Sequence, residues 1–334
     1  MWQRVYWRAF QLPGRGPRVH ALRVDDELIA IIPLRRTGRF IRRWLSGANA
    51  HTPYWTPALG PSPQAAGRAL EHLMASVHML DLGPVYVRRA ETEAIVQAAR
   101  ERGLRVSLDA HGPDAVMDLP ASSGELRRSL GAKLVANISR RRRHLAQLGR
   151  LEFEVITGGA ALQQVLAECF TLETLGWKGQ RGAPISSRPD TLQFYSDLAA
   201  AAAAAGQLAL HTLRLNSTLI AFEYCLRHNG RLDLLKESYH PDFARYSPGN
   251  ILRFHILQSE IELGAVRTYH LGMVSEWKAR WARRSEPLCR LRIYDTGFRG
   301  TLSYLIKSWI PGRARQQPVL RYAWRRLLGR WSTV

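Results

Sequence analysis

The sequence predicts a mixed α/β fold of two domains. The 334 residues are enough for roughly two domains of about 150 residues each. Short β-rich runs bounded by Gly, Pro or polar turns alternate with segments of helical period along the whole chain. Three successive strand-like runs, "LALHTLRLN", "STLIAFEYCLRHN" and "RLDLLKESY", are joined by Asn-Ser and Asn-Gly pairs that suit tight hairpins, so part of the sheet is antiparallel.

In the first third, "VHALRV", "LIAIIPL", "PVYVRR" and "LRVSLDA" read as strands. "SPQAAGRALEHLMASVHML" has helical spacing, with Leu70, Leu73, Val77 and Leu80 on one side. "HGPDAVMDLPASSG", rich in Pro and Gly, reads as a connector. Ser122 and Glu125 then fit a capping box and Gly149 a C-cap, which predicts one helix over about 125–148. "LEFEVI" is a strand, followed by helices over "GAALQQVLAECFTLETLGW" and "RPDTLQFYSDLAAAAAAAG". After the three hairpin strands come a helix over "SPGNILRFHILQSEIELG", a strand "VRTYHLG", a short helix "SEWKARWARR" and a strand "CRLRIYD".

Lys and Arg number 48 against 27 Asp and Glu, a formal charge of +21. Such a field attracts phosphates, nucleic acid or anionic lipid without choosing among them. The three cysteines, Cys169, Cys225 and Cys289, are far apart and form neither a metal-type pair nor a disulfide framework, which fits a reducing cytosol. Histidine spacing offers no metal site, and no nucleophile elbow or Walker-type loop is present. A cytoplasmic protein, or one peripheral to the inner face of the membrane, is expected. The segment 299–334 carries eight Lys or Arg residues and no acid, with Trp309, Trp324 and Trp331 interleaved. That composition suits an anionic membrane surface, or a solvated basic tail.

The stretch "YHPDFARYSPGN" stands between the last hairpin strand and a helix. Ser247 can cap that helix and Pro248 suits its first position. Gly249 lets a ligand approach the backbone, and Asn250 completes a first turn whose N–H groups favour a phosphate. Arg245, just outside, is placed to clamp it. Plain helix capping explains the same residues without a ligand.

The order of elements, three antiparallel strands, a helix opened by an anion cradle, a strand, a short helix and a strand, resembles the GNAT-type N-acyltransferases. Residues about 120–300 look like the cellulose-biosynthesis-type (CelD-like, BioF2-like) acetyltransferase domain of that superfamily. The resemblance is carried by "NISRRRRHLAQLGRLEFEV", "ETLGWKG", "YHPDFARYSPGNIL" and "GAVRTYHLGMVSEWKARW". It implies two GNAT-like domains in tandem, a degenerate or truncated half over 1–118, clipped at its start, and an acyltransferase domain over 119–300, followed by a basic tail over 301–334. It also implies acetyl-CoA or another acyl-CoA as donor, no metal, and a small-molecule or glycan acceptor bearing an amine or hydroxyl. The related Fem-type transferases imply the alternative of aminoacyl transfer from charged tRNA, which the charge also suits. A third reading keeps the scaffold without catalysis, as a basic lipid- or nucleic-acid-binding protein. Departures from the family's pattern are the missing second glycine after Arg245, His270 where relatives tend to have Asp, and Trp277 where they often have Tyr. The general acid is left unassigned.

Individual residues follow. Strand alternation puts Asp233, Leu235, Glu237 and Tyr239 on one face beside the cradle, making Glu237 a candidate base, or else an ion-pair partner of Lys236 or a nearby arginine. Glu223, mid-strand among apolar residues, needs a partner or a function and is the second candidate base. Glu173, Trp177 and Lys178 are acceptor-side candidates, with packing and solvation as the plainer alternative. Lys278 resembles the family's lysine in "WKARW". Arg140–Arg143 cover about 300° of a helix, so one of them must point inward and needs an anionic partner; Arg141 or Arg142 is expected to be that residue.

Overall fold

The computed structural model of the protein describes residues 1–10, 16–61, 64–176 and 184–311. The chain forms two compact units, each made of two chain segments: Met1–Leu12 with Pro113–Glu286, and Pro13–Gly112 with Pro287 onward.

In the first unit the sheet order is β6 (Arg105–Asp118), β11 (Thr268–Met273), β10 (Arg231–Tyr239), β9 (Thr218–His228), β8 (Leu208–Leu215) and β7 (Leu151–Ile156). β6 crosses the boundary between the units in the chain, and its part from Pro113 belongs here. β10 and β11 are parallel; every other neighbouring pair in this sheet is antiparallel. The Asn216-Ser217 and Asn229-Gly230 turns have positive φ throughout, as the hairpins require. Helices α4 (Ser123–Leu130), α5 (Ala132–Ala146) and α8 (Pro248–Leu263) share one core with the sheet, through Leu126, Ile138 and Leu257. Helices α1 (Trp2–Ala9), α6 (Leu162–Leu175) and α7 (Pro189–Ala204) share the other, through Tyr6, Phe170 and Phe194.

Four sequence expectations change here. The single helix over 125–148 is two, because Gly131 turns the chain at φ +83° between α4 and α5. The Ser122 cap is present, its hydroxyl accepting from the Glu125 N–H at 3.2 Å. Gly149 is not the C-cap; a Cβ there would lie 2.1 Å from the Asn216 side chain, which accepts from the Arg150 N–H and donates to the Leu148 carbonyl. The supposed connector "HGPDAVMD" continues β6, since Ala115, Val116 and Met117 are buried and Asp114, Val116 and Met117 pair with β11. The short helix in "SEWKARWARR" is only a 3-10 turn, Lys278–Arg280.

In the second unit β1 (Arg18–Val24), β2 (Glu27–Thr37), β3 (Arg43–Ser46), β5 (Met79–Tyr86) and β12 (Arg284–Tyr294) lie side by side, with β4 (Ala58–Leu59) on β2. Helices α2 (Ala65–Met74) and α3 (Ala90–Glu101) cover a core around Trp44, Leu70 and Ile95. α2 ends at Met74, so Leu80 belongs to β5 and not to the helical row. Helix α9 (Phe298–Tyr304) runs on as a π-turn, Leu305–Trp309. Among the described residues no helix is long and apolar enough to cross a membrane.

Candidate functional site

The site grows from two features of β10. A β-bulge between Leu234 and Lys236 breaks the alternation read from the sequence. Leu235 therefore packs with the α6/α7 core, and Lys236 stands over the Tyr195 ring of α7 on that same side. Glu237 points the other way and meets α8. Asp233, Leu235, Glu237 and Tyr239 thus do not share a face, as simple alternation had suggested. The second feature is the short parallel register, Arg231–Asp233 against Thr268–His270. Beyond it β11 bends at Gly272, where φ is +76°, and the last residues of β10 border an opening.

That opening is a cavity of about 530 Å³. Glu223 and Glu237, paired across β9 and β10, both line it. Arg253 of α8 joins them: its Nη2 forms an ion pair with Glu223 Oε1 and donates to Glu237 Oε2 at 2.5 Å. The Arg253 guanidinium also lies 4.4 Å from the Trp277 ring centre and 5.5 Å from that of Trp281. The Tyr269 hydroxyl donates to Glu223 Oε2. Glu223 is 1% exposed. Burial pushes its carboxyl up to about 7, against the pull of Arg253 and with a smaller push from Glu237. A buried carboxyl near neutrality is able to hold or release a proton at working pH.

Ser247, Gly249 and Asn250 line the same cavity at the start of α8, with Pro248 as the first helical residue. Ser247 is left-handed, at φ +50°, and makes no side-chain cap. Its carbonyl accepts from the Asn250 and Ile251 N–H groups at 3.0 and 3.2 Å, so the first turn has fewer spare donors than the sequence suggested. Its hydroxyl accepts instead from Arg141, the inward-facing member of the Arg140–Arg143 run. Arg142 stacks over Phe153 and Arg140 donates to Asn137. The expected anionic partner of Arg141 is replaced by a neutral hydroxyl, and no carboxylate approaches Arg141 within ion-pair distance among the described residues. Gly249 has room: a Cβ would meet only the Tyr239 ring at 3.9 Å.

Tyr239 lines the cavity as well. Arg245 does not; it is exposed and stacks on Tyr246 at 4.8 Å. Lys278 is not a lining residue either, its ammonium lying 5.4 Å from the Trp277 ring centre. Glu173 is fully buried, accepts from the Ile185 N–H at 2.7 Å and pairs with Lys236 at 3.9 Å. Trp177 and Lys178 lie outside the described residues. His270 Nδ1 lies 2.6 Å from the carboxylate of Asp114 in β6, and both side chains are buried.

Sequence reasoning missed Arg253 and Tyr269. A signal existed for Arg253, a lone cation inside the apolar run "NILRFHIL" whose neighbours Leu252, Phe254 and Leu257 are buried. The demand that Glu223 have a partner was its counterpart on β9.

Residues 132–282 match the acetyltransferase (GNAT) domain family. No curated protein sequence matches the chain. Among solved structures the chain is similar to FemX, at 11% identity and TM-score 0.57, over 91% of this chain and 93% of that one. It is also similar to L-PGS from Bacillus licheniformis, at 14% identity and TM-score 0.52, over 84% of each chain. A third neighbour is a C-terminal domain assigned to a lysylphosphatidylglycerol synthetase of Agrobacterium fabrum, at 15% identity and TM-score 0.53, over 86% and 87%. The expected mixed α/β fold class is the one observed, and the GNAT match falls within the first unit.

Proposed function

We propose that the chain is an acyltransferase whose donor is acyl-CoA and whose acceptor is an amine or hydroxyl entering the cavity beside β10. The observation that carries this reading is the ion-paired Glu223–Arg253–Glu237 group, with Glu223 and Arg253 buried, on a cavity that also reaches Ser247 at the start of α8, whose hydroxyl accepts from Arg141. The donor's diphosphate lies at the first turn of α8, where Gly249 offers unobstructed backbone and Arg141 supplies positive charge. The thioester lies along the unpaired part of β10, whose backbone N–H groups polarise its carbonyl.

The acceptor nitrogen or oxygen attacks the thioester carbon. The new C–N or C–O bond forms, the C–S bond breaks, and the acceptor's proton passes to Glu223 or Glu237. The departing thiolate takes up a proton, for which Tyr239, the tyrosine on the cavity wall, is the candidate donor. The resemblance to the CelD-like, BioF2-like family supports a polysaccharide precursor of the cell envelope, or a related metabolite, as acceptor, and a site of action in the cytoplasm or at the inner face of the membrane.

Calorimetric titration with coenzyme A, acetyl-CoA and longer acyl-CoAs tests the donor. Heat for at least one of them, weakened by Arg141→Ala more than by Arg245→Ala, is the expected result. A folded sample giving no heat with any of them rejects acyl-CoA. A second reading, aminoacyl transfer from charged tRNA, is favoured by the similarity to FemX together with the charge of +21. Tight tRNA binding that weakens steeply with salt would support it.

A further inference from the structure

The last described segment of the second unit is patterned inside out. Along α9 and the π-turn the small polar residues face inward: Ser303 is 1% exposed and donates to Met79 Sδ at 3.3 Å, and Ser308 meets the Tyr294 hydroxyl at 2.8 Å. The large apolar residues face outward, with Phe298 77%, Ile306 45% and Leu305 37% exposed. At about 100° per residue, Phe298, Leu302, Leu305 and Ile306 fall within an arc of about 100°. Single exposed apolar side chains are ordinary, but a contiguous stripe is not. Folding alone rewards the opposite arrangement.

The stripe is extended by the turn between β2 and β3. Phe40 of that turn is 55% exposed, and the Arg299 guanidinium sits 4.7 Å from its ring centre. The π-turn lies against β12, where Arg292 donates to the Lys307 carbonyl. Residues 34–46 and 296–311 carry Arg35, Arg36, Arg39, Arg42, Arg43, Arg299 and Lys307 and not one acid. An apolar stripe with the exposed Arg39 next to Phe40 and the exposed Arg299 stacked on its ring matches an anionic bilayer surface: rings and aliphatic chains enter the headgroup boundary while guanidinium groups meet lipid phosphates. RNA would use the cations and stack a base on Phe298, but it would give the aliphatic Leu305 and Ile306 nothing to bury against.

We propose that this face, centred on Phe298, Ile306 and Phe40, docks the second unit on anionic membrane lipid. The inference goes beyond the transferase reading and stands independently of it. The test is co-sedimentation of the full chain with vesicles of phosphatidylcholine containing phosphatidylglycerol, against phosphatidylcholine alone. Wild type is expected to bind the anionic vesicles only, and less so as salt is raised. Phe298→Ser with Ile306→Ser is expected to weaken that binding by more than about tenfold with an unchanged far-UV spectrum. Phe40→Ser, in an exposed turn, repeats the test should the double variant fail to fold. No binding by wild type, or equal binding by wild type and both variants, overturns the proposal. So does sedimentation velocity showing that wild type self-associates through this face and the double variant does not.

Discussion

Burial raises the Glu223 carboxyl while Arg253 pulls it down, and the balance leaves it near 7 against an ordinary 4.5. Four outcomes follow from that balance. Acting as base, Glu223 must be ionised, so the transfer rate is expected to climb with pH through about 7 and level off above. Glu223→Gln is expected to lose about 100-fold or more in kcat and to flatten that climb; a profile unchanged by the substitution would transfer the role to Glu237. Arg253→Met removes the opposing charge and is expected to move the midpoint of the climb upward by about one pH unit or more. Stability follows the same sign. A carboxyl raised in the fold contributes fully below about 4.5, and that contribution is lost as pH rises through about 7. Urea unfolding should therefore show Glu223→Gln gaining on wild type by about 3 kcal/mol between those limits. Glu223 itself was legible, because a carboxylate in "LIAFEYCL" demands an explanation. Its partners were not, because Arg253 and Tyr269 reach Glu223 from a helix and a parallel strand that no local pattern relates to β9.

At the scale of elements, the hairpins, α8 and the strand after it were readable, since each rests on a short-range signal: Asn-Ser and Asn-Gly turns, Pro248 at a helix start, Gly264 at its end. The bulge in β10 was not. Nothing in "LDLLKES" marks it, and it exists only as a mismatch of register with β9. Deleting Leu235, the residue without a partner on β9, would restore regular alternation and leave Lys236 opposite Tyr224 and Glu237 opposite Glu223. Retained acyl-CoA binding with the sheet's circular dichroism unchanged is the expected result; loss of binding would show that the bulge itself shapes the site. Gly131 offers a test of the break between α4 and α5. Its φ of +83° disfavours any Cβ, although there is open space around it, so Gly131→Ala should cost about 1 kcal/mol or more through backbone strain alone. Urea denaturation reads that cost directly.

Over the whole molecule, the charge of +21 makes like-charge repulsion the dominant long-range force. Raising salt from low to physiological strength should increase the melting temperature, because screening relieves that repulsion more than it weakens scattered surface pairs such as Arg280–Glu276. A falling melting temperature would mean that ion pairs outweigh it. Membership of each compact unit was not legible in the sequence. α1 packs its Trp2 and Tyr6 rings on Phe194, a contact so distant along the chain that periodicity cannot announce it.

Arg141 of α5 spends its guanidinium on the Ser247 hydroxyl at the head of α8, a neutral acceptor where a doubly charged one would fit. A phosphate arriving there competes for the same donor, so occupancy would unhook α5 from α8 or recruit both as a single clamp. Amide exchange along Ala132–Ala146 should register which: faster on ligand addition for release, slower for capture.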